Sequence, residues 1–177
     1  MTKQEFVNRH PEIHAVVFDM DGLMLNTEDV FDIAGQRLLQ RRGLEMTEVI
    51  RHSMLGRRPV EAFEALISHT GIKDRIPDLM QETKELFEEI AENSLATMPG
   101  LHELLTLVES RNLPLAVATS SPRDYMTGLL ERFDLLHRFH ITLTAEDVTH
   151  GKPHPEIYET AARRLSVSPE RMLVLED

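Results

Sequence analysis

Two aspartates two residues apart, Asp19 and Asp21, close the apolar run AVVF and are followed at once by Gly22. Side chains alternate along an extended strand, so both carboxylates are expected on one side with Met20 between them pointing away. Two anions so close repel each other unless a cation or a proton intervenes, which makes a divalent metal the first expectation. Gly22 lets the backbone turn close to a ligand. Three further groups have complementary chemistry: the hydroxyls Thr119, Ser120 and Ser121 after LAVA, Lys152 in the polar loop GKPHPE, and the acidic pair Glu176 and Asp177 after MLVL. Hard carboxylate oxygens suit Mg²⁺, which keeps waters or substrate phosphate oxygens in its shell. A hydroxyl, a turn N–H and an ammonium can together hold phosphoryl oxygens and offset their charge. One carboxylate is then left to act as a nucleophile at phosphorus. Ser121, just before Pro122, reads instead as part of the start of the next helix.

These residues converge only if the elements bearing them bring them to one place. The short apolar runs 15–18, 115–118, 141–144 and 172–175 suit strands buried on both faces of a parallel sheet. Helical spacing at 101–110, 125–133 and 156–165 alternates with them. Parallel strands joined by right-handed crossovers bring their carboxyl ends to one edge, where α/β sheets bind ligands. Between the first two strands the pattern changes. Thr27 is an N-cap candidate with Glu28 and Asp29 in the first turn of a helix over 30–41, carrying Phe31, Ala34, Leu38 and Leu39 on one face. A short helix over 47–55 follows, then a turn at Gly56 and a helix after Pro59 with Val60, Phe63, Leu66 and Ile67 inward. The last helix runs from Pro77 to about residue 94, with Leu79, Met80, Leu86, Phe87 and Ile90 as its apolar stripe. The expected architecture is therefore α/β, a Rossmann-like parallel core over 1–26 and 96–177 with a helical insertion over 27–95.

Composition narrows the function classes. The 177 residues carry 19 basic and 30 acidic side chains, a formal net charge of −11. That balance disfavours nucleic acid or an anionic membrane as a partner, while leaving room for a small phosphorylated molecule bound by a few placed cations. Cysteine is absent, which removes disulfides, zinc–thiolate sites and thiol nucleophiles. The nine histidines show no HExxH or paired metal spacing and read as surface or loop residues. No apolar run reaches membrane-spanning length and the amino terminus has no signal-peptide core, so a cytoplasmic monomer is expected.

Taken in order, these motifs resemble those of the haloacid dehalogenase-like superfamily of Mg²⁺-dependent phosphohydrolases, over nearly the whole chain. The first family motif is matched by Asp19, Asp21, Gly22 and Asn26, the second by Thr119, the third by Lys152 and the fourth by Glu176 with Asp177. The resemblance implies that Asp19 attacks phosphorus and carries a transient aspartyl phosphate while also binding Mg²⁺. It implies that Asp21 protonates the leaving alcohol, then activates water, and ligates the metal through its backbone carbonyl. Thr119 and Ser120 would hold phosphoryl oxygens, Lys152 would neutralise nucleophile and phosphate, and Glu176 and Asp177 would complete the metal site. The helical insertion would be the family's cap, which excludes water and selects the organic part of the substrate. Arg57 and Arg58, after Gly56, are placed where a cation could meet a second anionic substrate group.

Within this fold the expected activity is a phosphatase acting on a sugar phosphate or nucleoside monophosphate. The alternative is a phosphosugar mutase of the β-phosphoglucomutase kind, but those mutases carry a histidine shortly after the motif-one Thr, where this chain has Phe31. A receiver domain combines similar groups but has its phosphoacceptor after the third strand and lacks the insertion. A catalytically silent binding protein is the remaining alternative. Family members continue beyond the fourth strand with a loop, a helix and at least one more strand. A chain ending at Asp177 is accordingly expected to lack the C-terminal part of the core, with an unpaired sheet edge, reduced stability and weaker Mg²⁺ binding.

Overall fold

The computed structural model describes residues 12–54, 57 and 59–177. The amino-terminal segment, Leu55, the expected turn at Gly56, and Arg58 lie outside the described residues. In chain order the elements are β1 (Ala15–Phe18), α1 (Thr27–Gln40), α2 (Glu48–Met54), α3 (Pro59–Thr70) and α4 (Ile76–Ser94). They continue with α5 (Leu101–Glu109), β2 (Leu115–Ala118), α6 (Arg123–Arg132), β3 (Ile141–Leu143), α7 (Glu156–Leu165) and β4 (Met172–Leu175). The chain divides into two compact units, Met1–Asn26 with Thr97–Asp177, and Thr27–Ala96. No helix among the described residues is long and apolar enough to cross a membrane.

The first unit is built on a four-stranded parallel sheet in the order β3-β2-β1-β4. Val16 lies opposite Leu115 on one side and Leu173 on the other, so β1 has neighbours on both flanks. Every residue of β1 and β2 is buried, as short apolar runs in a parallel sheet require. Helix α7 places Ile157 and Ala161 against Val17, Ala116, Ala118 and Leu143. Alanines on both partners let helix and sheet approach closely. β4 forms one edge, where Leu173 is 43% exposed.

Two of the boundaries that differ from the sequence expectation have clear local reasons. β3 stops at Leu143 because the Thr144 hydroxyl accepts the Glu146 N–H while the Asp147 carboxylate accepts the Thr144 N–H, a capping box that starts a 3₁₀ turn. Helix α6 starts at Arg123 rather than 125, since Pro122 takes the N-cap position and the Glu146 carboxylate accepts the Arg123 N–H at 3.0 Å.

The second unit consists of the four helices α1 to α4. Leu38, Leu39, Leu66, Leu79 and Leu86 are fully or almost fully buried. Helices α1 and α4 are also linked through Arg37 to Glu89 at 2.9 Å and Arg41 to Glu82 at 3.0 Å. Arg42, just after α1, reaches both Glu82 and Asp74 at 2.7 Å, and its guanidinium lowers the pKa of both carboxyls. Gly43 and Gly71 follow α1 and α3 with φ of +68° and +71°, the left-handed geometry suited to a helix stop. Two residues expected on inward faces are exposed, Val60 at 49% and Phe31 at 44%, and Ile67 is only partly buried. Phe31 lies instead against Phe87 with ring centroids 4.3 Å apart.

Candidate active site

At the carboxyl end of β1 the Asp19 amide donates to the Leu175 carbonyl at 3.0 Å, which ties the first acidic residue to the end of β4. Asp19 is 8% exposed. Lys152, from the loop between β3 and α7, donates to Asp19 Oδ1 and to Glu176 Oε1, each at 2.8 Å. Its ammonium also lies 5.5 Å from the centroid of the Tyr158 ring. Asp19, Glu176 and Asp177 each offer a carboxylate oxygen within 4.8 Å of the others. Three converging hard oxygens fit a divalent cation such as Mg²⁺ in donor chemistry, and the single ammonium leaves that group net negative.

Burial dominates the electrostatics of Asp19 and raises its pKa to about 6, against the lowering effect of the hydrogen bond and charge of Lys152. Above that pH it is an anion facing an ammonium, the state a carboxylate nucleophile needs.

Asp21 has different surroundings. Its Oδ2 accepts from Thr119 Oγ1 at 3.2 Å and from Ser121 Oγ at 2.7 Å, and Tyr125 OH lies 3.4 Å from Oδ1. Thr119 is 1% exposed, and its hydroxyl in turn accepts the Ser121 N–H at 3.0 Å. Burial, followed by the charge and hydrogen bond of Asp21, pushes the Tyr125 phenol pKa well up, so it remains a neutral donor. Asp19 thus faces a cation and acidic groups, and Asp21 faces hydroxyls. Carboxylates in such unlike surroundings can take unlike chemical roles.

Of the residues singled out from sequence, Asp19, Lys152, Glu176 and Asp177 form one cluster, and Asp21 with Thr119 an adjoining one along the same strand ends. Ser120 is exposed. The reading of Ser121 as a helix-start residue is corrected: α6 has no side-chain cap, and the Ser121 hydroxyl bonds Asp21 instead. Tyr125, in the first turn of α6, was not anticipated at all. Arg57 belongs to the helical unit, where it is exposed and lines a cavity of about 610 Å³ together with Phe31, Leu38, Phe63 and Leu66. Met24 and Leu25, just after Gly22, are completely buried.

Comparison with known proteins adds to this geometry. Residues 16–177 match the family model described as haloacid dehalogenase-like hydrolase. The chain is 33% identical over 165 residues to a phosphorylated carbohydrates phosphatase of Thermotoga maritima, covering 93% of this chain and 76% of the relative. It is 29% identical over 185 residues to hexitol phosphatase B of Escherichia coli K12, covering 94% and 76%. Among solved structures, a candidate β-phosphoglucomutase from Thermotoga maritima superposes with a TM-score of 0.80 at 33% identity, covering 93% of this chain and 76% of that one. CbbY from Rhodobacter sphaeroides, solved with phosphate, gives 0.73 at 27% identity, covering 93% and 78%.

Proposed function

Because the chain belongs to the haloacid dehalogenase-like hydrolases and its relatives are phosphatases acting as phosphoric monoester hydrolases, we propose that it hydrolyses a small phosphorylated sugar or sugar alcohol through an aspartyl phosphate on Asp19. The observation that carries the reading is the placement of Lys152 Nζ between Asp19 Oδ1 and Glu176 Oε1 at 2.8 Å, beside an Asp21 held separately by hydroxyls. The names of the relatives favour a carbohydrate or polyol phosphate over a nucleoside monophosphate.

In this mechanism an Asp19 carboxylate oxygen forms a bond to phosphorus as the ester oxygen leaves. The Asp21 carboxyl gives its proton to that leaving oxygen. Lys152 offsets the charge of both Asp19 and the phosphoryl group, and Thr119 and Ser120 hold phosphoryl oxygens. Water then attacks phosphorus, Asp21 takes its proton, and the bond to Asp19 breaks to release inorganic phosphate. Asp19, Glu176, Asp177 and the Asp21 backbone carbonyl are the groups that would hold Mg²⁺, whose charge supplies electrostatic stabilisation of phosphoryl oxygens. We assign to Arg57, a cation of the helical unit, the recognition of a second anionic group of the substrate.

A mutase reading has one supporting observation, the likeness to a candidate β-phosphoglucomutase. A panel of sugar and polyol phosphates, incubated with Mg²⁺ or with chelator and alongside Asp19→Asn, separates the two. Hydrolysis predicts stoichiometric inorganic phosphate from the wild type with Mg²⁺ alone. Isomerised sugar phosphate without phosphate release would establish the mutase. Release unchanged by Asp19→Asn, or none from any compound, would overturn the assignment.

A further inference from the structure

The loop that carries Lys152 also carries His150 and His154, two residues to either side, and runs into Glu156 at the start of α7. The phosphoryl chemistry above uses none of these three. The Glu156 carboxylate accepts the backbone N–H groups of Thr149 at 2.8 Å and His150 at 2.9 Å, and lies 2.9 Å from His150 Nδ1. A turn closed by His154 N–H to the Gly151 carbonyl at 3.0 Å brings the second imidazole back over the first. The ring centroids are 4.7 Å apart with planes inclined by 35°. His154 Nδ1 accepts the Glu156 N–H at 3.2 Å. One ligand atom from each of the three side chains lies within 4.8 Å of the other two.

The geometry points to a surface site for a borderline divalent transition cation, with Zn²⁺ as its reference occupant, formed by His150, His154 and Glu156. The ligand set is two imidazoles and one carboxylate, the mixed nitrogen and oxygen set that favours Zn²⁺ over Mg²⁺. It therefore differs in kind from the all-oxygen group of Asp19, Glu176 and Asp177. Tetrahedral Zn²⁺ with bonds of about 2.0–2.1 Å holds its ligand atoms about 3.3 Å apart, so the three groups need to close by at most about 1.5 Å. Both histidines are exposed, and rotation about their side-chain bonds supplies that movement without disturbing buried packing. Glu156, as an ordinary carboxylate, needs no proton removed at neutral pH. The fourth position opens to solvent. All three ligands lie within residues 150–156, so a bound cation would clamp the two flanks of Lys152 together.

The histidines were expected from sequence to be loop residues without paired metal spacing. They are in a loop, but the turn at Gly151 makes neighbours of side chains four residues apart.

The test is a calorimetric Zn²⁺ titration of the full chain in excess Mg²⁺, which keeps the oxygen cluster filled, comparing wild type, Asp19→Asn and the double variant His150→Gln/His154→Gln. The expected result is one Zn²⁺ per chain for wild type and Asp19→Asn. Losing an outer-shell partner alone costs about 10–100-fold in metal affinity, so losing both imidazoles should weaken binding by at least about tenfold. Equal binding by the double variant, or loss in Asp19→Asn alone, would overturn the site. Cu²⁺-loaded wild type gives a second readout that does not depend on how the variants fold. Nitrogen hyperfine coupling from two imidazoles is expected in its paramagnetic resonance spectrum, and an all-oxygen spectrum would reject the proposal.

Discussion

Lys152 and Asp19, 133 residues apart in the chain, meet through a 2.8 Å ion pair at the carboxyl end of the sheet. The pair is largely buried, and the same ammonium holds Glu176. One cation therefore serves two anions, and a substrate phosphoryl group would add more negative charge to the same place.

Removing that cation should be costly. Lys152→Ala is expected to lower kcat by about 10²-fold or more, the scale seen when one preorganised charge-stabilising donor is lost. Without the hydrogen bond and charge of Lys152, the Asp19 pKa rises above about 6. The acidic limb of the kcat/KM profile should then move to higher pH. A profile that keeps its shape while falling in height would mean that Lys152 does not act on Asp19.

Asp19 itself should trade stability for activity. Its pKa is raised on folding from 3.8 to about 6, so its ionisation opposes folding increasingly as pH rises through that interval. In metal-free protein at pH 8, Asp19→Asn should abolish turnover yet raise stability by about 1–3 kcal/mol, at ~2–4 °C in Tm for each kcal/mol. The gain should shrink towards nothing below about pH 4, where wild-type Asp19 is protonated both folded and unfolded. Thermal unfolding followed by circular dichroism across that range measures it.

The hydroxyls around Asp21 should be felt in turnover rather than affinity. Ser121→Ala removes a 2.7 Å donor and Tyr125→Phe a more distant one at 3.4 Å. With Asp21 less firmly oriented, kcat should fall by about tenfold for Ser121→Ala and by less for Tyr125→Phe, a part of the roughly 10²–10⁴-fold that proton transfer contributes. KM should stay near the wild-type value. A rise in KM at constant kcat would place these hydroxyls on the substrate instead.

Glu156 gives an acid-sensitivity prediction. Its carboxyl is held at about 2 by the Thr149 and His150 donors, below its ordinary value of 4.5. The associated stability is present above about pH 4.5 and is lost as pH falls towards 2. Glu156→Gln should therefore lower Tm at pH 7 and match wild type near pH 2. A Tm difference that persists unchanged in acid would contradict this account.

Much of this was legible in the sequence because the informative signals are local. AVVF, LAVA and MLVL are apolar runs of strand length, each followed directly by polar residues, and the parallel-sheet rule then places those residues along one edge. That logic reached Asp19, Thr119, Lys152, Glu176 and Asp177. It failed for Ser121 and Tyr125 because their direction depends on how the chain leaves β2. Pro122 at the N-cap and the Glu146 carboxylate on the first helical N–H bring α6 in two residues early, turning Ser121 and Tyr125 towards Asp21. Phe31 and Val60 fit a helical stripe by spacing alone, but a stripe is buried only as far as its neighbours extend.

The strand order assigns different mechanical security to the parts of the site. Asp19 and Thr119 follow β1 and β2, each paired on both sides, whereas Lys152 lies in the loop after β3, which among the described residues is paired only with β2. Fraying starts at margins, so mild heat would strip away the compensating lysine while both interior anchors still stood. Loss of catalysis on warming should accordingly run ahead of the collapse of the sheet, leaving a well-folded but inert molecule over an intermediate range of temperature.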